Sequence, residues 1–590
     1  MTSSTTAPVS LPAERDIDRA LVDVCARELR AGFADYHARF SEITRRAQRR
    51  FETRDWAGAQ SDTSQRIELY GRCIGEMVER IERMLGAAPT NRAFWGAVRD
   101  TYAATIAGLL DQELYKTWFN TLARRFFRIR GVDAQTEFVA LDIDPTDSIT
   151  HPVARHSYAV WGNLPRVCQK ILDDHAFKAK YAHAGLCAMR IADALSRRLA
   201  GWGEEAVRAV ELLETVFYRE RRAYLVGRVF GVERIAPLVI ALVHDAEGIR
   251  ADAVLLERDT VAQIFGYTRS YLHADLTTVG DAIVFLHTLL PNKPVDEIYT
   301  VLGRAKQGKT ERYRHFFRHL ASDPDEQFEY AQGVRGMVMV VFTLPTYPLV
   351  FKLIRDRFAY PKDSVREEVI AKYRLVFHHD RAGRLIDAQE YRFLRFPKSR
   401  FAPPLLAELL NECRDSAYAD GEDIVVAHCY VERRLRPLDL YVRENAGDTA
   451  LRAILDYGQA IKDLARNNIF PGDLLFKNFG LTRHGRAIFY DYDELCLVTD
   501  CRFRELPDDD DTTPGLDTFY VGPHDVFPEQ FPRFLGVEPE QRDALIRAHG
   551  EIFNVRWWLD LQQRLRAGDP PDVPPYPEAL RLPARPGGIG

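Results

Sequence analysis

Apolar residues recur at three-to-four spacing from Asp16 to about Phe127. Ala20, Leu21, Val24 and Leu29 open one stripe, and Ile67, Tyr70, Ile74, Met77, Ile81, Met84 and Leu85 continue another. Phe94, Trp95, Val98 and Tyr102 begin a third, which runs through Leu109 and Leu110 toward Trp118. That period sets one face of each helix against a core, so the stretch predicts a helical bundle. The pattern then changes to strands: Glu137–Leu141, Arg222–Phe230, and Pro237–His244 turning near Gly248 into Ala253–Leu256 as a hairpin. Helices resume between them and through Thr310–Leu320. Ser322-Asp-Pro-Asp325 reads as a break, because proline disfavours helix at the residue before it.

Beyond the break, strands come first and helices later. Gln327–Tyr330, Met337–Thr343 and Leu349–Ile354 are strand candidates, and a helix starts near Asp363-Ser364, where Ser364 and Glu367 have capping-box spacing. Asp423–Val431 reads as one strand leading to a turn at Pro437. Leu451–Ala465 is an amphipathic helix with Ile454, Leu455, Tyr457, Ile461 and Leu464 on its apolar face. The Pro/Gly-rich end past Gly568 is expected to be poorly ordered.

Composition narrows the class. Across 590 residues, 46% hydrophobic and 28% charged content sit near globular averages, which excludes wholesale disorder and fibrous architectures. The net charge of −5, without a standalone basic block, disfavours a nucleic-acid partner. Met1–Glu14 lacks the basic and apolar regions of an export leader. The longest uncharged apolar stretch, Gly336–Phe351, is interrupted by Pro345 and Pro348 and falls short of a spanning helix. No membrane partner and a cytoplasmic location are therefore expected. The eight cysteines form no C-x-x-C pair, so neither structural zinc nor a disulfide framework is signalled.

Two phosphate-binding patterns compete. Gly303–Thr310 spells G-x-x-x-x-G-K-T, but a P-loop needs a buried strand before it, and Val295, Ile298, Val301 and Leu302 also fit a helix. His244-Asp245 is its only weak Walker-B candidate, and a basic turn between two helices explains the segment better. The second pattern is distributed. Ala331, Gln332, Gly333, Val334, Arg335, Gly336 and Met337 lie between strand candidates, and Lys352 follows 16 residues after the last glycine, inside a strand. Kinases use that order to close backbone N–H groups and a cation over a triphosphate.

The downstream half is more telling. In Asn468-Ile-Phe-Pro-Gly-Asp-Leu-Leu-Phe-Lys-Asn-Phe-Gly480, Asp473 and Asn478 keep the D-x-x-x-x-N spacing of a kinase catalytic loop. A carboxylate there can take a hydroxyl proton, and a neutral oxygen five residues on can ligate Mg²⁺. Lys477 can stabilise charge on the transferring group. Asp491 ends the Ala487–Tyr490 strand 18 residues after Asp473, where a metal-binding aspartate belongs. Asp493 and Glu494 cluster further carboxylates just past it. The fold class is thus α+β, a mainly helical N-terminal domain followed by a bilobal protein-kinase-like domain. The expected boundaries are 1–15, 16–322, 323–432 (N-lobe), 433–567 (C-lobe) and a tail at 568–590. A small-molecule phosphotransferase and a non-catalytic nucleotide-binding scaffold are the rival readings.

Ala331–Met337, Tyr347–Ile354, Glu432–Leu438, Asn468–Gly480, Arg483–Arg486 and Phe489–Glu494 together resemble the bifunctional isocitrate dehydrogenase kinase/phosphatase family. The likeness runs from the N-terminal helices to about Arg566. Like that family, the chain has Pro471-Gly-Asp473 in place of H-R-D and Asp491-Tyr-Asp493 in place of D-F-G. The resemblance implies an ATP- and Mg²⁺-dependent protein serine kinase, with Mn²⁺ as an alternative ion, that silences isocitrate dehydrogenase and also removes the phosphate. Carbon would thereby be steered between the citric acid cycle and the glyoxylate bypass. It implies AMP and ADP as effectors acting through the helical domain, and a homodimer as a state to test. It also implies Asp387 as an active-site residue and Glu432 at the adenine hinge, and a bifunctional site would give Asp493 or Glu494 the task of positioning water for phosphate release. The partner of Lys352 is expected to be Glu367 or Glu368, and Lys306–Lys309 is the segment expected to contact an effector's phosphate.

Overall fold

The computed structural model describes residues 18–86, 91–140, 152–204, 206–266, 272–360, 362, 364–379, 381, 383–506, 521–522 and 524–583. The chain divides into two compact units, one of Met1–Phe40 with Leu69–Ala140, the other of Ser41–Glu68 with Leu141–Gly590. The predicted N-terminal stripes form α1 (Arg19–Thr53), α2 (Trp56–Leu85), α3 (Arg92–Ile106) and α4 (Gln112–Phe126). In the first unit Trp95, Tyr102, Trp118 and Phe119 are fully buried, as the three-to-four spacing requires.

The strand expected at Glu137–Leu141 is absent over Glu137–Ala140 (Leu141 lies outside the described residues). Asn120 supplies the hydrogen bonds a neighbouring strand would have made: its Oδ1 accepts from the Phe138 N–H and its Nδ2 donates to the Phe138 carbonyl. Glu137, a buried carboxylate, clamps Arg124 and the Asp133 N–H.

The second unit opens with an antiparallel sheet. β1 (Arg155–Ala159), α5 (Leu164–Asp174) and α6 (Ala184–Gly201) precede β2 (Ala209–Leu213), β3 (Phe217–Arg219), β4 (Arg222–Phe230), β5 (Ile235–His244) and β6 (Ile249–Leu255). The order is β1-β2-β4-β5-β6, with β3 on β4. Its inner face, including Leu212, Leu225, Ile240 and Leu242, packs against Cys168, Ile171, Ile191 and Leu195 of the two helices.

Helices α7 (Arg258–Ile264), α8 (Val279–Leu289), α9 (Val295–Val301) and α10 (Ala305–Ser322) follow. Gly303–Thr310 is therefore the turn between α9 and α10 and the first part of α10, with no strand before it. Gly308 is needed for close helix packing: a Cβ there would lie 2.5 Å from the Asp296 carbonyl. Lys309 sits 4.6 Å over the Tyr391 ring. The predicted break after Ser322 is present, yet α10 does not belong to a separate core. Its Phe316 and Leu320 pack with Phe342 and Phe351 of the sheet that follows, and with Phe328 and Phe396 beside it.

That sheet runs β10 (Gln389–Tyr391), β14 (Cys429–Arg433), β9 (Leu349–Ile354), β8 (Met339–Thr343), β7 (Glu329–Tyr330), with α11 (Arg366–His379) against it. β11 (Leu394–Pro397), α12 (Pro403–Glu412), β12 (Ala417–Asp420) and β13 (Asp423–Val426) build a second small sheet ordered β11-β13-β12. Asp423–Val431 is thus two strands in two sheets. The ladder breaks where the Ala427 and His428 N–H groups turn to the Ser416 carbonyl.

β15 (Arg436–Pro437), α13 (Leu438–Glu444) and α14 (Gly447–Arg466) lead into β16 (Ile469–Phe470), β17 (Phe479–Leu481), β18 (Ala487–Phe489) and β19 (Cys496–Leu497). α15 (Pro539–His549) and α16 (Val555–Arg566) complete this lobe, whose core joins Ile454, Tyr457, Ile461, Phe479, Phe489 and Trp558.

The end past Gly568, expected to be disordered, is held in place as far as Pro583. Asp572 accepts from both Arg222 terminal nitrogens at 2.7 and 2.6 Å, and the Tyr576 hydroxyl donates to buried Asp252 at 2.6 Å. Arg581 binds Asp252 as well, and the Leu582 N–H donates to the Asp252 carbonyl. Proline limits the entropy this segment loses on docking, and the segment supplies partners that buried Arg222 and Asp252 would otherwise lack.

Candidate active site

The residues singled out on separate strands and loops meet around one cavity of about 450 Å³. Ala331–Met337 between β7 and β8 form its roof. Lys352 on β9 and Glu432 on β14 form its back wall, and Asp473, Lys477, Asn478, Asp491, Asp493 and Glu494 its floor. The Gly-rich roof is tied down by Arg355, whose Nε donates to the Gly336 carbonyl at 3.2 Å while its terminal nitrogens bind Glu408 and Glu412.

Lys352 points inward because alternate residues of a strand share a face. Its ammonium lies 2.7 Å from Glu432 and donates to the Tyr490 carbonyl at 2.8 Å. Neither Glu367 nor Glu368 is its partner: both are exposed at the start of α11, where the Glu368 carboxylate accepts from the Val365 N–H. The cap-like contact thus falls one position later than the Ser364/Glu367 pair. At the place where a kinase helix would present a glutamate, α11 presents Tyr373. Its ring stacks on Tyr430 at 3.8 Å, and its hydroxyl donates to Glu432 at 3.4 Å. Glu432, the residue carried to the adenine hinge, is thus a buried ion-pair partner with its side chain turned to Lys352. Burial raises its pKa, against the pull of Lys352.

The catalytic-loop segment is shaped by Gly472, whose φ is +83°. A Cβ there would come within 2.5 Å of the Glu494 carbonyl, so only glycine lets this loop lie against the Asp491–Glu494 segment. The Asp473 carboxylate accepts from the Leu475 N–H at 3.0 Å, and Asn478 Nδ2 donates to the Asp473 carbonyl at 3.3 Å. The Tyr490 hydroxyl donates to the Lys477 carbonyl, locking the loop to the end of β18. Burial raises the Asp473 pKa, with Glu494 adding to it.

Asp491 is the most perturbed carboxyl of the cavity. Burial, then the neighbouring Asp493 charge, push its pKa up to about 7 despite Lys352, Lys362 and Lys477. A divalent cation would reverse that balance, and a carboxylate with a carboxamide oxygen is the hard-oxygen pair that leaves further positions to phosphate. Asp491 and Asn478 therefore fit Mg²⁺.

A family model described as "Isocitrate dehydrogenase kinase/phosphatase (AceK), regulatory domain" matches residues 26–324, and one described as "Isocitrate dehydrogenase kinase/phosphatase (AceK) kinase domain" matches 326–578. The chain belongs to the isocitrate dehydrogenase kinase/phosphatase family. A relative of that name from Xanthomonas euvesicatoria pv. vesicatoria (strain 85-10) is 60% identical over 561 residues, covering 94% of this chain and 97% of the relative. Another, from Anaeromyxobacter dehalogenans (strain 2CP-C), is 45% identical over 579 residues, covering 95% and 98%. The family's kinase domain brings ATP use with it, and Mg²⁺ typically accompanies ATP. No described helix is long and apolar enough to cross a membrane.

One feature of this family member was not reached from the sequence. Lys362, in the connection from β9 to α11, lies 2.9 Å from Asp493 and also pairs with Glu494. A lone lysine beside a proline carries no periodic or motif signal, so no sequence pattern marks it. Asp387, implied by the resemblance, does not line the cavity, although its neighbour Ile386 does. Its carboxylate faces Arg312 at 3.6 Å and accepts from Gln389 at 3.2 Å. The same Arg312 holds Asp296 at 2.7 Å.

Proposed function

We propose that this chain is a bifunctional protein serine kinase and phosphatase that uses Mg-ATP to inactivate isocitrate dehydrogenase and later removes the phosphate. The observation that carries the reading is the meeting of Lys352, Asp473, Asn478 and Asp491 in one cavity under the 331–337 loop. Its support is the name shared by relatives aligned over nearly the whole chain.

The backbone of Ala331–Met337 covers the triphosphate, and Lys352, held by Glu432, orients it. Asn478 and Asp491 hold Mg²⁺, which when bound offsets phosphate charge as the γ-group moves. Asp473 accepts the proton of the substrate serine hydroxyl, a task its raised pKa suits, and Lys477 faces the developing charge. In the reverse direction Asp493 and Glu494, steadied by Lys362, orient the attacking water. AMP and ADP act as effectors through the N-terminal region, and the protein works in the cytoplasm, with a homodimer as its assembly.

The test is incubation with γ-labelled ATP and isocitrate dehydrogenase, followed by a chase with ADP or AMP. Label entering the dehydrogenase and leaving it during the chase is the expected result. Label in a small metabolite, with none in protein, would replace this reading by the small-molecule phosphotransferase. No turnover at all would leave a scaffold.

A further inference from the structure

Cys496 and Cys501 lie beside the candidate active site, and no step above uses them. Their sulfurs are 3.5 Å apart. Cys496 is also the one cysteine of the eight that is only partly buried. A disulfide needs about 2.05 Å between sulfurs, and the remaining gap of roughly 1.5 Å is within reach of side-chain rotation plus a small backbone shift. Among the described residues no cluster of three or more His, Cys, Asp or Glu could hold a metal ion, which removes the competing explanation for the pair.

We propose that Cys496 and Cys501 are a peroxide-sensitive thiol pair whose closure to a disulfide slows phosphoryl transfer at the adjoining site. The Cys496 thiolate attacks a peroxide oxygen and the O–O bond breaks. Cys496 becomes a sulfenic acid, and the departing oxygen leaves as water. The Cys501 sulfur then attacks the sulfenic sulfur, the S–O bond breaks, and the hydroxide leaves with the Cys501 proton as a second water. Two thiols thus lose two electrons and two protons to one hydrogen peroxide. Hydrogen bonding with Cys501 holds the Cys496 thiol below its ordinary pKa against burial, and Lys372 of α11 acts in the same direction.

The link to the site runs through backbone contacts. Cys496 pairs with Phe470 in the β16–β19 ladder, three residues before Asp473. Glu494, two residues before Cys496, is the group against which Gly472 packs. The Cys501 end is anchored instead: Gln562 of α16 donates to the Val498 and Cys501 carbonyls, each at 2.7 Å. Closing the pair therefore pulls the Cys496 side, and with it the strand feeding Asp473. The oxidation stands on the sulfurs alone; its effect on rate rests on the kinase reading of Asp473.

The test treats the full chain with hydrogen peroxide. It follows the peptide containing both cysteines by non-reducing mass spectrometry, and phosphate transfer to isocitrate dehydrogenase before treatment, after it, and after dithiothreitol. The expected result is loss of two hydrogens from that peptide and a fall in transfer approaching 10²-fold, about what an ångström of misplacement costs, restored by the reductant. Cys496→Ser should match the reduced wild type and resist peroxide. The proposal is overturned if the peptide goes only to sulfinic or sulfonic acid, if the disulfide forms without slowing transfer, or if Cys496→Ser loses activity in the same way. Should the reduced protein transfer no phosphate, the kinase reading fails, while the mass readout still decides the disulfide.

Discussion

Gly472→Ala is the sharpest probe of how the catalytic loop is built. Its positive φ alone costs a residue with a Cβ roughly 1–2 kcal/mol, a stability loss visible in urea denaturation. The steric consequence is larger. The new Cβ would sit 2.5 Å from the Glu494 carbonyl, 0.9 Å short of the 3.4 Å at which ordinary contact begins. Either Asp473 or the Asp491–Glu494 segment must move by that amount. A displacement near 1 Å at a reacting group costs up to about 10²-fold in rate. Gly485, in the turn between β17 and β18, supplies the control: its φ is +74°, but a Cβ there meets nothing within 4 Å. Gly485→Ala should share the stability loss and keep the rate. Both variants are compared by urea midpoint and by single-turnover transfer from Mg-ATP to isocitrate dehydrogenase. If Gly472→Ala turns over no more slowly than Gly485→Ala, the close packing of the two segments has no catalytic weight.

Four further outcomes are expected. Glu432→Gln, which strips buried Lys352 of its carboxylate, should destabilise the protein by about 3–5 kcal/mol in chemical denaturation and weaken ATP binding, whereas Glu367→Gln should change neither. Asp473→Ala should lower kcat for phosphate transfer by roughly 10²–10⁴-fold with folding intact by circular dichroism. Asp572→Asn should lower the unfolding free energy by roughly 1–2 kcal/mol, an amount discounted for the third of that side chain that water reaches, read as a drop in thermal midpoint. The fourth concerns pH. Arg384 binds Asp456 at 2.6 Å and holds its carboxyl below the usual value in spite of burial. A depressed folded pKa contributes stability that is fully present above the unfolded value near 3.8 and is lost as pH falls through the folded one. The urea midpoint of the wild type should therefore fall more steeply below about pH 4 than that of Asp456→Asn.

The legible parts of this chain were those where local chemistry and tertiary structure agree. α14 follows its apolar stripe, β9 runs from Leu349 to Ile354 as its pattern requires, and the Asp473–Asn478 spacing survives because one tight turn sets it. What escaped depends on pairing between distant segments. Glu432 meets Lys352 because β14 lies antiparallel to β9 with Glu432 opposite Val350, a register that neither strand encodes alone. Asp423–Val431 is uniformly apolar enough to read as one strand, and the Ser416 carbonyl that splits it comes from another hairpin. The Glu137 segment lost its strand to a single asparagine side chain on α4. Composition at the end of the chain signalled looseness, while the charges that hold that end lie some 350 residues earlier at Arg222.

That last contact has a bearing on synthesis. Arg222 and Asp252 are buried in the β4–β6 sheet, but Asp572, Tyr576 and Arg581, which complete their hydrogen bonding, are translated 324 to 354 residues later. A nascent sheet must therefore wait, with charges that still need water, until the 572–582 segment emerges. Arrival of that segment, rather than emergence of the sheet, is then the moment at which this part of the molecule becomes resistant to cellular proteases.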